Sequence, residues 1–255
     1  MQAAFLTIHG SDAILTDSTA ETLLVLNVPS LVKDLELRTP GLAINLPRGE
    51  LRNVRITAAR GVEIGGPVKI TDTIVTTQPG GAVGVLVLNG GTLTWDRGQI
   101  SGGVTALQSF GTATIDVSNL LAFATSDVAI NLSSSTTGTI GFSTVADSGG
   151  SSTTASAVVC SSAQVQIRSS ILWTPNTARS PVAGMCNLNT VIAGPPAVGG
   201  ASNVDPRFVN ETNHDYHLDT NSPARDMVDS GPALDFEADA RPAGVRFDLG
   251  ADEAL

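Results

Sequence analysis

The chain has 255 residues and a formal net charge of −10 at pH 7; 15% of its residues are charged and 4% are aromatic. An acidic chain without interleaved basic and aromatic residues does not fit a nucleic-acid-binding protein, so no nucleic-acid partner is expected. Its longest apolar stretches are far shorter than the roughly 18 residues that a membrane helix needs, so we expect no membrane span.

A short apolar skeleton recurs between residues 32 and 172: an apolar residue, four variable residues and a second apolar residue. The seven pairs are Val32/Leu37, Leu51/Ile56, Ile70/Val75, Trp95/Ile100, Ile115/Leu120, Ile140/Val145 and Ile167/Leu172. Their spacing varies from one pair to the next, while the skeleton itself is constant. This combination is typical of stacked repeats, in which only the residues that face a shared core must recur.

The segments around these pairs have the chemistry of β-strands. Thr and β-branched residues alternate, as at 92–95 and 137–140, and a second apolar cluster precedes most pairs, as at 42–44 and 85–87. A leucine-rich repeat does not fit, because its Leu-x-x-Leu-x-Leu frame is missing. The pattern predicts a single all-β domain, a parallel β-helix of about seven to nine coils over 1–173. Residues 174–255 are predicted to form the last coil and a loop-rich C-terminal cap.

The two cysteines, Cys160 and Cys186, are 26 residues apart, which is about one coil. They are therefore expected on neighbouring layers, where a disulfide can form in an oxidising compartment. The alternative is that Cys160 is simply a small core residue. The cysteines lack further metal ligands at short spacing, and the histidines are His9, His214 and His217, so a structural metal site is not indicated.

The C-terminal region contains an ordered series of motifs. They are Asn-Val-Asp-Pro-Arg-Phe-Val at 203–209, His-Asp-Tyr-His-Leu at 214–218, Ser-Pro-Ala-Arg-Asp at 222–226, Arg-Pro at 241–242 and Phe-Asp-Leu-Gly-Ala-Asp-Glu at 247–253. This order resembles the C-terminal segment of secreted right-handed parallel β-helix repeat proteins of the pectate-lyase-like superfold, of the choice-of-anchor type. One departure is that a glycine usually follows the Ser-Pro-Ala stretch closely, whereas here Gly231 comes later.

The resemblance implies a right-handed β-helix that is exported or attached to a cell surface. The first residues run directly into strand-like Phe5-Leu6-Thr7-Ile8, without the basic start and cleavage site of a secretory signal. We therefore expect the chain to be part of a longer exported protein whose signal lies outside it. The alternative is a cytosolic protein with a frayed first coil.

Stacking converts equivalent sequence positions into rows of side chains on the surface. The first candidate row is a grid of Thr-x-Thr pairs for binding glycan or ice: Thr92, Thr94, Thr112, Thr114, Thr137 and Thr139. The simpler alternative is that threonine is a favourable solvent-facing strand residue.

The second candidate row is a pair of carboxylates, Asp96 and Asp116, which follow equivalent anchors on adjacent coils. Two carboxylates so placed can share a proton or act as the catalytic acids of a polysaccharide lyase or glycoside hydrolase. The alternative is a solvated face, because the chain lacks the Gly-His-Gly and Arg-Ile-Lys motifs of polygalacturonases. A third row, Asp34, Asn53 and Asp72, is expected to cap turn backbone, with a cation site as the alternative.

Charge is uneven along the chain. Half of the 14 basic residues lie within 33–69, where they would favour an acidic polysaccharide, although acidic residues are interleaved with them. Near the C-terminus Asp235, Glu237 and Asp239 alternate, which places three carboxylates on one side of an extended segment. They are candidate ligands for Ca²⁺, the one cofactor considered.

The sequence therefore predicts an exported or cell-surface β-helix, without catalytic activity, that presents an extended face to a glycan or surface partner. The alternative is a lyase or hydrolase acting on an acidic polysaccharide through Asp96 and Asp116. A third possibility is ice binding through the threonine rows. The sequence names neither the ligand nor the oligomeric state.

Overall fold

The computed structural model describes residues 5–146, 157–161, 164–174 and 179–254. Its strands are β1 Leu6–Thr16, β2 Thr22–Val25, β3 Ser30–Leu46, β4 Gly49–Ile64, β5 Pro67–Thr77, β6 Val83–Val87, β7 Thr92–Gly102, β8 Thr105–Ser109, β9 Thr114–Phe123, β10 Ile130–Leu132, β11 Thr137–Gly141, β12 Thr144–Ala146, β13 Val158–Cys160, β14 Val165–Trp173, β15 Val182–Gly184, β16 Asn187–Gly194, β17 Phe208–Asn210 and β18 Asp215–Leu218. One 3-10 turn, Glu211–Asn213, joins the last two strands.

The strands β1 to β16 form a parallel solenoid of about eight turns with three faces, as the repeat predicts. Each face stacks one column of core side chains. The column of face 1 is Ile8, Val32, Leu51, Ile70, Trp95, Val117, Ile140, Ile167 and Leu188. The column of face 2 is Leu15, Leu37, Ile56, Val75, Ile100, Ala122, Val145, Leu172 and Ala193. The column of face 3 is Leu24, Ile44, Val62, Val85, Leu107, Ile130, Val158 and Val182.

The predicted anchors lie in these columns with one exception. Trp95 pairs with Val117, not with Ile115, and Ile100 pairs with Ala122, not with Leu120. The predicted pair Ile115/Leu120 was therefore wrong by two residues. Since side chains of a strand alternate with a period of two, both choices place an apolar residue in the core, and burial alone does not distinguish them.

A left-handed residue joins face 1 to face 2 in every turn after the first. These corner residues are Asp34, Asn53, Asp72, Arg97, Asn119, Phe142, Ser169 and Thr190, with φ between 45° and 63°. Asn and Asp tolerate this conformation better than most residues, which explains their number in this row. The third predicted row is thus a set of turn residues. Asn53 Nδ2 also donates to Asp34 Oδ1 at 3.0 Å, linking two corners.

The C-terminal residues cover the solenoid in two places. Val198 and Ala201 pack against the end of the main core, and Ser202 bridges to Ile192 on the last turn. The segment 203–254 then folds back along face 2. The outward side chains of face 2 in the last turns are apolar, so this packing forms a second hydrophobic core outside the solenoid. Its buried members include Leu121, Ile171, Ile192, Phe208, Tyr216, Leu218, Leu249 and Ala251.

The predicted disulfide between Cys160 and Cys186 is confirmed. Cys160 ends β13 on face 3, and Cys186 follows the strand β15 that pairs with it. The bridge therefore joins two adjacent turns near the end of the solenoid, which agrees with a separation of about one coil.

Candidate functional site

A buried guanidinium links the segment 203–254 to the solenoid. Arg241 Nε donates to Glu253 Oε2 at 2.8 Å, and both side chains are fully buried. Its second branch reaches the corner row: Nη1 donates to Asn119 Oδ1 at 3.1 Å, and the guanidinium lies 5.0 Å from the ring centre of Phe142. Its Nη2 donates to the carbonyl oxygens of Asp248, Gly250 and Asp252. A residue of the 241–242 motif thus meets two corner residues far away in sequence.

Buried carboxylates hold the loops of this segment by accepting backbone N–H groups. Asp248 accepts from Asp226 at 2.7 Å and from Ala254 at 2.9 Å, and Asp252 accepts from Leu218 at 2.7 Å. Burial raises the pKa of Asp252 to about 6, against the opposing effect of its hydrogen bond from Leu218. Asp248 and Asp252 of the 247–253 motif therefore act as acceptors for backbone N–H groups.

Aromatic side chains gather where the β17–β18 hairpin meets the outer edge of face 2. Phe208 and Tyr216 pack edge to face with ring centres 5.3 Å apart, and Phe123 lies 5.5 Å from both Tyr216 and His214. Trp173, the last residue of β14, is only partly buried there. Few aromatic residues occur in this chain, including one tyrosine and two tryptophans, so their meeting at one place is notable.

Trp173, Phe208, His214 and Tyr216 line a cavity of about 240 Å³. Tyr216 and Phe208 are almost completely buried and form its floor, whereas Trp173 and His214 are more exposed and form its sides. Polar groups come from Glu211, the hydroxyl of Thr212 and the His214 ring; Tyr216 Oη lies 3.2 Å from His214 Nδ1.

The glycine at position 194 makes room for the tryptophan of this pocket. A Cβ at Gly194 would lie 2.7 Å from Trp173 Cζ3 and 2.1 Å from Asn203 Oδ1, both closer than ordinary van der Waals contact. The ring of Trp173 therefore lies close against the backbone of Gly194 on the last turn, and a side chain at position 194 would collide with it.

Behind the pocket, His217 connects the hairpin to the following loop. Its Nδ1 lies 2.6 Å from Asp215 Oδ1 and its Nε2 lies 2.7 Å from Glu237 Oε2. Burial lowers the pKa of His217, but the hydrogen bonds to Glu237 and Asp215 outweigh it and raise the pKa to about 9. The imidazole is therefore protonated at neutral pH and bridges two carboxylates as a cation.

The predicted carboxylate pair is not in register. Asp96 pairs with Ser118, and Asp116 pairs with Thr94, so the two aspartates are diagonal neighbours and not members of one row. The two-residue error in the anchor alignment explains this correction. Asp96 accepts from Arg97 Nη1 at 2.9 Å and from Asn119 Nδ2 at 3.1 Å, within the corner row. Asp116 accepts a hydrogen bond from Thr139 Oγ1 on the next turn.

The threonine grid is partly formed. Thr92, Thr114 and Thr137 are in register on face 1, with 3.4 Å between the hydroxyl oxygens of Thr114 and Thr137. The second column is interrupted, because Asp116 lies between Thr94 and Thr139. Thr112 lies outside the sheet, in a turn where its N–H donates to Asn89 Oδ1. Its predicted position beside Thr92 was wrong, because the alignment of the two strands was shifted by two residues.

The three carboxylates considered for Ca²⁺ do not act together. Asp235 is buried, and its oxygens accept from the backbone N–H groups of Glu237, Asp239 and Glu253. Burial raises its pKa. Glu237 turns to His217, and Asp239 is exposed. Within the described ranges, no group of three or more His, Cys, Asp and Glu side chains is arranged to hold a metal ion.

The basic residues of 33–69 are largely neutralised by close acidic partners. Arg38 pairs with Glu36, Arg52 with Glu50 and Arg60 with Glu63, each two or three residues along the same turn. Interleaved acidic residues in the sequence predict such local pairing, and these three pairs show it. Arg55 differs from them: it is exposed and has no ion-pair partner in the part of the chain that the structure describes.

Sequence reasoning missed the aromatic pocket. Phe208 and Tyr216 belong to recognised motifs and Trp173 ends a recognised coil, but nothing in the sequence indicates that the hairpin packs on face 2. The apolar outward positions Leu121, Phe123 and Ile171 were the available signal. On a solenoid face such residues require a covering segment.

Comparisons with protein families, with curated proteins and with solved structures found no match for this chain. The fold described above is therefore established by the strand register alone. In the described residues, no helix is long and apolar enough to cross a membrane.

Proposed function

We propose that this protein is a secreted or surface-attached β-helix of the pectate-lyase-like type that binds glycans without cleaving them. The observation that carries the proposal is the aromatic pocket formed by Trp173, Phe208, Tyr216 and His214. Sugar rings have apolar C–H faces that pack on aromatic side chains and hydroxyls that need polar partners. A small cavity with aromatic walls and a few placed polar groups is suited to both needs.

The chemistry of the pocket favours binding over hydrolysis. Hydrolysis by the usual route needs two carboxylates on opposite sides of the glycosidic bond. Among the described residues that line the cavity, Glu211 is the one carboxylate. The pair considered from the sequence, Asp96 and Asp116, is on face 1, is out of register and is engaged by neighbouring side chains.

An exported location is supported by the disulfide, because such bonds persist in oxidising compartments. The order of the C-terminal motifs supports a surface-attached protein of the choice-of-anchor type. Most of these motifs act structurally here: Ser222 accepts from Ala224 N–H and donates to Pro206 O, and Arg241 holds Glu253. A shared role in fixing the segment to face 2 would explain why they occur together.

The test is retention on immobilised neutral polysaccharides, with cleavage assayed in parallel through new reducing ends and unsaturated products. Trp173→Leu should weaken binding about tenfold, which corresponds to about 1.4 kcal/mol. Phe110→Leu is the matched control, since Phe110 is an exposed aromatic residue outside the pocket. Equal binding by both variants would contradict glycan binding in the aromatic pocket. Released product would show that the protein is an enzyme.

A further inference from the structure

A groove runs along face 2 from the edge of the C-terminal segment into the part of the face that the segment leaves uncovered. It consists of two cavities, of about 270 and 210 Å³, and Arg55 lines both. The larger one has apolar sides from Ile74 and Phe236 and an amide from Gln99. Phe236 belongs to the covering segment, so the larger cavity, like the aromatic pocket, is formed jointly by the solenoid and the segment 203–254, whereas the smaller one is lined by the solenoid alone.

The acidic side chains of this groove each have another basic partner. Asp72 accepts from Arg97 Nε at 2.7 Å, and Glu237 is 2.7 Å from His217 Nε2. In the smaller cavity, Glu36 accepts from Arg38 Nε at 2.6 Å. In the same cavity, Asp34 lies 3.1 Å from His9 Nε2 and 3.6 Å from Lys33 Nζ.

Arg55 is the basic residue of the groove that takes part in none of these pairs. Its side chain is exposed, and no hydrogen bond or ion pair joins it to another described residue, although Glu36 is near enough to interact with it through space. A guanidinium presents a planar fork of donors that matches a carboxylate or sulfate group. Arg55 therefore offers an anionic group in the groove directed N–H donors and a positive charge that no ion pair among the described residues engages.

We propose that Arg55 binds the anionic group of an acidic saccharide that lies in this groove against Ile74 and Phe236. The inference rests on the proposed glycan-binding function and adds a second site and a ligand class to it. The charged group is a uronate carboxylate or a sulfate ester, since both present oxygens that accept from a guanidinium. The aromatic pocket, which has no comparable cation among its described lining residues, would take the uncharged part of the glycan.

The experiment measures the affinity of the full chain for oligogalacturonate, for dextran sulfate and for a neutral oligosaccharide. Arg55→Gln should weaken binding of at least one acidic ligand about tenfold and leave the neutral ligand unaffected. Arg60→Gln is the matched control: it removes the same charge from an exposed arginine outside the groove and should change neither. The two acidic ligands distinguish a carboxylate from a sulfate.

Arg55 makes no described hydrogen bond, so its replacement should leave the melting temperature unchanged, and a loss of affinity is then a loss of contact. Equal weakening by Arg55→Gln and Arg60→Gln would overturn the inference, because binding would then follow net charge. No weakening by Arg55→Gln would also overturn it. Trp173→Leu separates the two proposals: if it spares neutral binding while Arg55→Gln abolishes acidic binding, the aromatic pocket fails and the groove stands.

Discussion

The solenoid and the segment 203–254 are stabilised in different ways. In the solenoid, columns of apolar side chains and parallel hydrogen-bond ladders repeat from turn to turn, so each turn depends mainly on its neighbours. The segment packs on face 2 through the second hydrophobic core, and its short loops are held by individual hydrogen bonds, with Arg241 at their centre. The contacts of the solenoid are repeated from turn to turn, whereas each contact of the segment occurs once and depends on particular residues.

The proposed binding surfaces lie where these two regions meet. The solenoid contributes flat, regular faces, and the segment adds the Tyr216 hairpin at one edge and Phe236 at the other. The aromatic pocket and the larger cavity of the groove need both regions, whereas the smaller cavity is lined by solenoid residues alone. Loss of the segment should therefore remove the aromatic pocket and the larger cavity while leaving the solenoid folded.

The largest effect is expected from Arg241→Met. The change leaves the Glu253 carboxylate buried without its cation, and removing one partner of a buried ion pair costs about 3–5 kcal/mol. Protease cleavage should begin in the segment 203–254, with the solenoid strands still intact by circular dichroism. Arg38→Met, which breaks an exposed pair with Glu36, should cost less than about 1 kcal/mol. Equal effects of the two changes would contradict a network centred on Arg241.

In the solenoid, Leu51→Ala should reduce the free energy of unfolding by about 2–5 kcal/mol through the cavity it leaves. Leu51 is completely buried between Val32 and Ile70 in the column of face 1. Leu15 in the first turn is 37% exposed, so Leu15→Ala should cost clearly less. Urea unfolding followed by circular dichroism gives both values. A Leu15 effect as large as that of Leu51 would argue against a core of stacked columns.

Removing the disulfide by Cys160→Ser together with Cys186→Ser should cost about 2–4 kcal/mol, since the bond closes a loop of about one turn in the unfolded chain. Thermal unfolding of the variant should match that of reduced wild-type protein. Unchanged stability after reduction would show that the parallel ladder alone holds these turns together.

The smallest effect is a dependence of stability on pH through His217. Its pKa of about 9 in the folded protein exceeds the 6.5 of the free side chain, so the protonated form is favoured by folding. The contribution is complete below pH 6.5 and is lost as the pH rises through 9. His217→Gln should flatten the dependence of the melting temperature on pH across this interval. An unchanged slope in this variant would contradict the bridge between Asp215 and Glu237.

The sequence was sufficient for the solenoid because burial there is periodic. The anchors, the number of turns and the disulfide all follow from residues that recur at about one coil. The predicted register was wrong at Ile115. Val117 is equally apolar, and because the strand period is two, both alignments place an apolar residue in the core. That shift was enough to separate Asp96 from Asp116 and to displace Thr112.

The contacts of the segment 203–254 could not be predicted from periodic burial. Arg241 meets Asn119 across 122 residues, and no spacing rule relates the two. The motif at 247–253 was recognised as a pattern, but the role of Asp248 and Asp252 as acceptors for backbone N–H groups depends on where the loops lie. The pocket was unpredictable for the same reason, because Trp173 and Tyr216 belong to different regions.

The most direct test of glycan binding uses the fluorescence of Trp173. Trp95 is buried in the solenoid core, so Trp95→Phe leaves Trp173 as the only tryptophan, placed at the wall of the pocket. Titration with neutral oligosaccharides should produce a saturable change in its emission, and Phe110→Leu in the same background should leave the curve unchanged. An emission spectrum that stays constant while the protein is retained on the same glycan would place binding elsewhere and contradict the account.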